Sequence, residues 1–255
     1  MRYIFAGDRD ISVWVLEELM NHGLKPLALL VSEPSKATHS EELIAISKLP
    51  LSNVFVGKEF ESAESIIRLK ALESDYILGI HFPYLIKKEI LEIPKIGFLN
   101  LHPALLPFNR GWHTPSWAIL DKTPIGATLH FMAEELDNGD VIHQKGLQIS
   151  PADTANTLYT RLKDLELEVF RESIPMLLSK NLPRIPLRLD DGTSHKRKEL
   201  FSSKLQQIDL NEMYKAGELL DKLRALSTNQ WAEAAYFDKD GKRYRLKIEI
   251  QESEL

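Results

Sequence analysis

Short runs of consecutive apolar residues alternate with segments of helical spacing through the first hundred residues of this 255-residue chain. Residues 3–6 and 26–31 are two such runs. Between them lies a predicted helix that Asp10 can begin and whose apolar residues fall on one face. Consecutive apolar strands separated by amphipathic helices are typical of a parallel sheet that is covered on both faces. The alternation therefore predicts an α/β fold built on a parallel sheet.

The alternation continues to residue 101, after which the chain changes character. Residues 101–115 form a loop with two histidines, three prolines and an arginine. Strands at 126–132 and 141–149 are joined by the polar turn Asp137-Asn138-Gly139-Asp140. A long helix follows, with Asp153 predicted as its N-cap and Pro175 predicted to bend or end it. The other predicted strands are 53–56, 76–80 and 97–101, and the other predicted helices are 41–48, 62–72 and 87–91.

Beyond Pro183 the remaining residues predict a different arrangement. One more amphipathic helix covers residues 213–226, and Asp238-Lys239-Asp240-Gly241, between two apolar segments, is typical of a hairpin turn. We therefore expect two domains, an α/β domain of residues 1–181 and a small accessory domain of residues 182–255 with a helix and a β-hairpin.

Composition narrows the classes of partner. The chain has no cysteine, which excludes a disulfide scaffold, a thiol nucleophile and cysteine-ligated metal clusters. Its formal net charge of -5 argues against a nucleic-acid or anionic-membrane partner. No apolar run approaches the roughly 18–20 residues that cross a bilayer, and the N-terminal apolar run is too short for a signal peptide. We expect a cytoplasmic protein.

Five of the eight histidines lie within 63 residues of one another, but their spacing does not predict a metal site. A His-Glu-x-x-His pair on one helix is absent from the sequence, and His130 falls in a strand predicted to be buried. We therefore expect no metal. The five are His81, His102, His113, His130 and His143.

The segment Asn100-Leu101-His102 is the most informative for chemistry. If it ends a parallel strand, Asn100 and His102 leave the carboxyl end on the same face, because side chains repeat every two residues. Ligands bind at that end in open α/β sheets. A carboxamide can stabilise a developing oxyanion and an imidazole can relay a proton, which suits acyl transfer. Asp137, at the tip of the next strand pair, is the candidate to orient the imidazole.

Each of these residues also has an ordinary structural interpretation. An Asn at a strand end commonly caps a turn, a single His is commonly a structural side chain, and Asp137-Asn138-Gly139-Asp140 is by its spacing an ordinary turn. Residue spacing alone leaves these alternatives open.

Several segments resemble the 10-formyltetrahydrofolate-dependent formyltransferase family, over roughly residues 1–180. The most specific feature is the order Asn-x-His followed by Asp at positions 100, 102 and 137. The segments that carry the resemblance are Ile4-Phe5-Ala6-Gly7, Pro83-Tyr84-Leu85-Ile86-Lys87-Lys88-Glu89-Ile90-Leu91, Asn100-Leu101-His102-Pro103-Ala104-Leu105-Leu106-Pro107, Arg110-Gly111, Gly126-Ala127-Thr128-Leu129-His130, Leu136-Asp137-Asn138-Gly139-Asp140 and the helix near Asp153.

This resemblance implies a doubly wound catalytic domain that moves a formyl group from N10-formyltetrahydrofolate to a primary amine, with no metal. It implies that Asn100, His102 and Asp137 are the catalytic trio. It also implies a slot for the pterin ring, lined by the loop before Asp137 and by two segments that offer backbone hydrogen bonds. These segments are Tyr84-Leu85-Ile86 and Ala104-Leu105-Leu106-Pro107.

Members of this family differ in the amine that receives the formyl group. Glycinamide ribonucleotide formyltransferases have a glycine-rich phosphate loop after the first strand, whereas the turn here, Gly7-Asp8-Arg9-Asp10, is acidic with one glycine. Methionyl-tRNA formyltransferases add a sizeable basic domain, whereas residues 182–255 have 14 Lys and Arg against 13 Asp and Glu, a weak platform for tRNA. Formyltetrahydrofolate hydrolases, a third alternative, usually have an extra N-terminal domain.

Sugar-nucleotide N-formyltransferases fit best, on the resemblance of residues 106–119 and 194–200. These enzymes formylate a nucleotide-linked amino-deoxy sugar for bacterial surface glycans, and we expect a dTDP- or UDP-linked 4-amino-4,6-dideoxy sugar. The hairpin near the C-terminus has an edge that can pair with a second copy, so a homodimer is a further expectation.

Five residues are predicted to bind this sugar nucleotide. Arg110 can supply a planar guanidinium to the diphosphate, and Lys196 or Arg197 a more mobile charge. Trp112 or Trp117 can face the sugar or the base. Two alternatives remain open: packing of Trp117 against the sheet, and a merely solvated loop at Lys196-Arg197-Lys198.

Overall fold

The apolar runs of the N-terminal half form parallel strands. The structure is a computed structural model, and it describes residues 1–190 and 192–254. The strands are β1 (Tyr3–Gly7), β2 (Ala28–Val31), β3 (Val54–Val56), β4 (Tyr76–Ile80), β5 (Gly97–His102), β6 (Arg110–Gly111), β7 (Ile125–Phe131), β8 (Val141–Leu147), β9 (Ser194–His195), β10 (Ala235–Lys239) and β11 (Lys242–Leu246). The helices are α1 (Asp10–Asn21), α2 (Ser40–Ser47), α3 (Ala63–Ala71), α4 (Lys88–Leu91), α5 (Thr114–Asp121), α6 (Ala155–Ser179), α7 (Ser203–Gln206) and α8 (Ala216–Leu226).

Seven strands form one sheet in the order β3-β2-β1-β4-β5-β7-β8. Strands β1 to β5 are parallel, whereas β7 runs antiparallel to β5. Strands β2 and β3 extend the sheet on one side of β1, and β4 and β5 extend it on the other side. The strand order therefore reverses between β1 and β4. Ligands bind outside the carboxyl ends of the strands at such a reversal. The predicted α/β fold with a mostly parallel sheet is confirmed, as is the antiparallel hairpin of β10 and β11.

The chain divides into two compact units, each made of several segments. The first unit contains Met1–His102, Ala127–Lys145 and Leu165–Leu187. The second unit contains Pro103–Gly126, Gly146–Asp164 and Arg188–Leu255. The division into domains at residue 181 stays a prediction.

Apolar side chains of strands β1 to β5 form the core of the first unit together with residues of α3, α4 and the neighbouring turns. Full burial of an aliphatic side chain contributes about 1.5–3 kcal/mol to stability, so this cluster makes the sheet a firm support for the loops at its ends. The buried members are Ile4, Ala6, Ala28, Leu30, Phe55, Phe60, Leu69, Ile77, Ile90, Ile93 and Phe98.

Helix α6 begins differently from its prediction. Thr154, the residue before the helix, accepts a hydrogen bond on Oγ1 from the backbone N–H of Thr157 at 3.3 Å, as an N-cap does. Asp153 instead accepts from the backbone N–H of Ser150 at 2.7 Å and pairs with Arg161. The predicted cap at Asp153 is therefore wrong by one residue, because its carboxylate closes the preceding turn.

Pro175 neither ends α6 nor stands at its last residue, since the helix continues to Ser179. A proline removes one helical hydrogen bond, yet tertiary packing holds the final turn here. Leu177 is fully buried, and its carbonyl accepts a hydrogen bond from the hydroxyl of Tyr76 at 3.2 Å.

Helix α5 was not predicted, because the sequence reasoning assigned a loop as far as Pro115. The helix begins directly after His113, which has a φ of 57°, and carries Pro115 in its first turn, where proline is favoured. In the second unit α5 packs with α8, and both contribute to a buried apolar cluster. Its members are Ala118, Ile119, Ile125, Leu158, Leu162 and Ala225.

Candidate active site

Asn100 and His102 occupy the carboxyl-terminal part of β5, in the first unit. Alternation along the strand places both side chains on one face. Asn100 lies between Gly79 of β4 and His130 of β7 in the sheet register, and His102 lies opposite Thr128 of β7. Both residues therefore stand where a sheet of this kind presents side chains to a ligand.

Asp137 lies in the turn that follows β7. Its backbone has a φ of 48°, which Asp tolerates better than most residues. The turn folds back closely on the strand: the N–H of Phe131 donates to the carbonyl of Asp140 at 2.9 Å, and a Cβ on Gly139 would collide with the carbonyl oxygen of Phe131. The glycine is thus required for the close approach that holds Asp137 at this end of β7.

The structure brings the three predicted catalytic side chains together. His102 Nε2 lies 3.5 Å from Asp137 Oδ2, and Asn100 Nδ2 lies 3.5 Å from Asp137 Oδ1. His102 is 7% and Asp137 is 9% exposed. Within residues 1–190 and 192–254, His102 Nε2 is buried and makes no hydrogen bond. Such a group is suited to receive or deliver a proton when a substrate reaches it. The catalytic roles themselves stay predictions.

His130 belongs to the same cluster, although the sequence reasoning gave it no role. Its ring is 1% exposed, Nδ1 lies 2.7 Å from the carbonyl oxygen of Phe131, and Nε2 lies 3.2 Å from Asn100 Nδ2. Burial lowers the pKa of His130 to about 4, against the opposing attraction of Asp137. The sequence placed His130 in a buried strand, but it did not show which residue His130 faces. The register of β5 and β7 was needed to place it opposite Asn100.

His81 and the buried Glu166 form a second pair in the first unit that the sequence did not predict. His81 directly follows β4, and its Nε2 lies 2.7 Å from Glu166 Oε1 of α6. Glu166 is fully buried, and its other carboxylate oxygen has no hydrogen-bond partner among the described residues. A buried carboxylate of this kind depends on its partner, because removing one member of a buried pair leaves an uncompensated charge.

Of the segments predicted to bind the pterin ring, residues 84–86 lie in the first unit. Tyr84 packs against the rings of Phe60 and Phe82, and its hydroxyl accepts a hydrogen bond from the backbone N–H of Glu33 at 3.2 Å. Leu85 is 83% exposed, whereas Ile86 is half-buried. The tyrosine therefore fixes the segment, and Leu85 is presented to solvent.

The other predicted pterin-binding segment lies in the second unit. Ala104 and Leu106 are buried, whereas Leu105 and Pro107 are half-buried. The carbonyl of Leu105 accepts a hydrogen bond from the N–H of Phe108 at 3.0 Å. The segment is a tight turn with alternating burial, and its role toward the pterin ring stays a prediction.

The predicted sugar-nucleotide residues all lie in the second unit. The short strands β6 and β9 pair in parallel, with Arg110 opposite Ser194. The guanidinium of Arg197 lies 4.9 Å from the ring centroid of Trp112, which is 40% exposed. The side chain of Lys196 is exposed. An exposed indole beside a guanidinium matches the chemistry of a nucleotide, whose base stacks and whose diphosphate needs positive charge.

Trp117 has the contacts of a packing residue. Its ring stacks on His195 with centroids 3.8 Å apart and an interplanar angle of 4°, and it packs against the buried cluster of Leu200, Leu226 and Ala235. His195 Nε2 in turn lies 2.7 Å from Asp121 Oδ2. These contacts favour the packing interpretation of Trp117 that the sequence left open.

Neither a cluster of metal-ligating side chains nor a membrane-spanning helix is found among the described residues. No group of three or more His, Asp or Glu side chains in residues 1–190 and 192–254 is arranged to hold a metal ion. In the same part of the chain, no helix has the length and apolar character needed to span a membrane.

Two family models match the chain. The model for Formyl transferase matches residues 3–174, which include Asn100, His102 and Asp137. The model for the N-formyltransferase dimerization C-terminal domain matches residues 202–252, within the second unit.

Curated relatives match nearly the whole chain at modest identity. The bifunctional polymyxin resistance protein ArnA of Wigglesworthia glossinidia brevipalpis is 28% identical over 257 residues, which cover 98% of this chain and 38% of the relative. The methionyl-tRNA formyltransferase of Clostridioides difficile is 27% identical over 255 residues, which cover 97% of this chain and 81% of the relative. The chain thus spans well under half the length of the first of these relatives.

Solved structures share the fold over nearly the same length. A 4-N formyltransferase from Francisella tularensis has a TM-score of 0.82 and 22% identity, with 99% of this chain and 98% of that chain covered. An N-formyltransferase from Helicobacter canadensis, in complex with folinic acid and dTDP-3-aminofucose, has a TM-score of 0.69 and 18% identity, with 94% and 85% covered.

Proposed function

Since the chain belongs to the formyl transferase family, we propose that it transfers a formyl group from N10-formyltetrahydrofolate to the primary amine of a nucleotide-linked amino-deoxy sugar. The observation that carries the proposal is the meeting of Asn100, His102 and Asp137 at the carboxyl end of β5. A carboxamide, an imidazole and a carboxylate at one point supply the donors and the proton path that acyl transfer requires. The product is a formamido sugar for bacterial surface glycans.

The chemistry needs no covalent bond to the enzyme. The neutral amine attacks the formyl carbon, and Asn100 donates an N–H to the negative charge that develops on the formyl oxygen. His102 takes the proton that the amine loses and passes it toward N10 of the folate as the bond from the formyl carbon to N10 breaks. Asp137 orients His102 and balances its transient charge. The bound donor supplies the formyl group and tetrahydrofolate as the leaving group.

The second unit offers suitable chemistry for the acceptor. Trp112 and Arg197 can bind the base and the diphosphate of a sugar nucleotide, with Arg110 and Lys196 as further cations. The C-terminal match to an N-formyltransferase domain and the likeness to a 4-N formyltransferase support a dTDP- or UDP-linked 4-amino-4,6-dideoxy sugar as the acceptor. We propose the same C-terminal region, residues 182–255, as an accessory domain through which two copies form a homodimer.

Methionyl-tRNA is a second candidate acceptor, because a methionyl-tRNA formyltransferase matches 97% of this chain. Residues 182–255, however, carry 14 basic against 13 acidic side chains. Since tRNA affinity draws heavily on phosphate neutralisation, this near-neutral region makes tRNA the weaker candidate.

A panel of acceptors tests the proposal. The purified protein is mixed with N10-formyltetrahydrofolate and, in separate reactions, dTDP- and UDP-linked 3-amino and 4-amino sugars, methionyl-tRNA, or no acceptor. We expect the mass of one formyl group to be added to a 4-amino sugar nucleotide. Formylation of methionyl-tRNA alone would assign the second function, and release of tetrahydrofolate without any acceptor would identify a hydrolase.

Matched histidine variants show whether product comes from this site. His102→Asn is expected to abolish formylation. His143→Asn is the control, because His143 is a half-buried residue of β8 that pairs with Glu172 and has no part in the proposed chemistry. Product formation that His102→Asn leaves unchanged would overturn the assignment of the site.

A further inference from the structure

His130 faces the predicted catalytic amide from the neighbouring strand. β5 and β7 pair so that Asn100 lies directly opposite His130. Asn100 Nδ2 is 3.2 Å from His130 Nε2, and His130 Nδ1 is 2.7 Å from the carbonyl oxygen of Phe131. Because the ring is 1% exposed, water does not compete for either contact. The two ring nitrogens are therefore each committed to one protein partner.

The partners determine where the ring proton lies. A carbonyl oxygen can only accept a hydrogen bond, so Nδ1 of His130 carries the proton that points to Phe131. In a neutral imidazole the other nitrogen is then an acceptor, and Nε2 offers its lone pair to Asn100. An amide N–H satisfies that lone pair, whereas an amide oxygen in the same place would face it with no proton between them. His130 thus distinguishes the two ends of the Asn100 carboxamide, which are nearly equal in shape.

The neutral form of the ring persists at neutral pH. Burial is the main reason that the pKa of His130 is lowered to about 4. Asp137, with Oδ1 at 3.8 Å from Nε2, opposes this shift, and His102, whose ring centroid is 6.3 Å away, adds to it. Among the described residues these two are the titratable groups that act on the ring. Nε2 therefore remains an acceptor at neutral pH.

We propose that His130 is a positioning residue that holds the Asn100 carboxamide in the orientation needed for formyl transfer, an inference that rests on the proposed function. One N–H of Asn100 is bound to His130. The other N–H points toward Asp137 Oδ1 at 3.5 Å, and because this contact is long, that N–H remains able to donate to the developing charge on the formyl oxygen. Without His130 the amide of Asn100 can rotate by half a turn and present its oxygen to the developing negative charge on the formyl oxygen. The two oxygens would then repel each other.

Two substitutions separate this role from packing. His130→Phe keeps an aromatic ring and removes both hydrogen bonds, and we expect kcat to fall by about 100-fold, as for a misplaced catalytic group, with the KM of each substrate little changed. His130→Gln can place an amide oxygen near the position of Nε2, so it is expected to recover part of the lost kcat. His143→Phe, a matched change on β8, is expected to keep the kcat of the unsubstituted protein. A loss in His130→Phe that appears only in KM would overturn the proposal.

A double-variant cycle tests whether His130 acts through Asn100. If it does, Asn100→Ala with His130→Phe loses no more activity than Asn100→Ala alone, because the group to be oriented is already gone. Independent losses that add in the double variant would overturn the proposal. If circular dichroism shows that His130→Phe does not fold, His130→Gln takes its place in the cycle, with the same two outcomes.

The tautomer can be measured without any substrate. Imidazole ¹⁵N chemical shifts of the histidine-labelled protein, assigned through His130→Gln, are expected to show a neutral ring with its proton on Nδ1 at pH 7. A charged ring, or a proton on Nε2, would refute the positioning role whatever the activity. Failure of the unsubstituted protein to formylate any amine would instead refute the proposed function and leave the tautomer result standing by itself, so the two failures are distinguishable.

Discussion

His102 Nε2 and Asp137 Oδ2 face each other at 3.5 Å, with both side chains nearly buried and the imidazole nitrogen lacking a hydrogen bond within the described chain. The carboxylate is close enough to orient the ring and to compensate a positive charge on it. At this distance it does not hold the nitrogen in a tight hydrogen bond, which leaves His102 able to engage a proton of the substrate.

Asp137→Asn should therefore reduce catalysis more than binding. The substitution keeps the size of the side chain and removes the charge that balances His102, and general acid–base assistance is commonly worth about 100- to 10,000-fold. We expect kcat to fall by at least about 100-fold, which is the lower end of that range. Steady-state kinetics and calorimetric titration of the sugar nucleotide check this. Asp140→Asn, in the same turn but paired with Arg184, is the control with unchanged kcat.

Asn100→Ala and His102→Ala should each lose most activity and retain affinity for the sugar nucleotide. Removal of one donor to a developing oxyanion typically costs on the order of 100- to 1,000-fold in turnover. Neither side chain is among the predicted binding residues of the second unit. Single-turnover rates and nucleotide titration separate the two quantities, and near-native turnover in His102→Ala would show that the trio is wrongly assigned.

Gly139→Ala should displace the turn that carries Asp137. The new Cβ would collide with the backbone carbonyl of Phe131, which cannot rotate away as a side chain would. We expect a loss of about 1–3 kcal/mol of unfolding free energy, typical of overpacking, together with a fall in kcat. Urea unfolding and kinetics measure both.

Gly217→Ala is the matched control for that substitution. A Cβ at Gly217, in α8, meets no atom within 4 Å, and alanine is the better helix former by about 1 kcal/mol. Stability should stay the same or rise. If both alanine variants were equally destabilised, the close approach of Gly139 to the carbonyl of Phe131 would not contribute to stability.

The sequence was sufficient for the elements that carry the trio, because burial on both faces gives parallel strands an unmistakable apolar pattern. The predicted strand 76–80 matches β4, and the predicted strand 97–101 stops one residue short of His102 at the end of β5. Period-two alternation then placed Asn100 and His102 on one face. The position of Asp137 at the tip of the next strand pair made it the candidate to orient the imidazole, and the resemblance to formyltransferases supported that choice over an ordinary turn residue.

Long-range pairing was beyond the sequence. His130 lies opposite Asn100 because β7 is antiparallel to β5, and no local pattern in either strand fixes that register. His81 and Glu166 are 85 residues apart and meet only when α6 packs on the first unit's sheet. Pro175 failed as a stop signal for a related reason, since burial of Leu177 outweighed the local cost of proline in a helix.

His130 should make the protein less stable as the pH falls from about 6.5 toward 4. In the unfolded chain histidine has a pKa near 6.5, whereas burial lowers the pKa of His130 to about 4 in the folded protein. Between these values only the unfolded state binds the proton, so protonation favours unfolding. Above pH 6.5 the neutral ring of His130 therefore makes its full contribution to the free energy of unfolding. This contribution, roughly 3 kcal/mol, is lost as the pH falls to 4.

Urea unfolding at pH 7 and at pH 5 measures this dependence. His130→Phe cannot take up the proton, so its stability should change less between the two pH values than that of the unsubstituted protein. His22→Phe, an exposed residue at the end of α1, is the control and should keep the full dependence. An identical pH dependence in all three proteins would show that His130 takes up its proton in the folded protein over the same pH range as in the unfolded chain.

Trp112 and Arg197 should bind the sugar nucleotide as one unit. The guanidinium already lies 4.9 Å from the indole centroid, so each side chain helps to hold the other in place. Base stacking on an aromatic ring is worth about 1–3 kcal/mol, which corresponds to a rise in Kd of roughly 5- to 150-fold for Trp112→Ala. Arg197→Ala should also raise Kd and make it less sensitive to salt. The double variant should lose less binding free energy than the two single variants combined.

Trp231→Ala is the matched control, because Trp231 is also exposed and has Lys247 4.6 Å from its ring, yet it lies outside the predicted binding residues. Calorimetric titration with the nucleoside diphosphate at two salt concentrations measures Kd for the unsubstituted protein and all four variants. An equal rise in Kd for Trp231→Ala would remove the case for a specific site at Trp112.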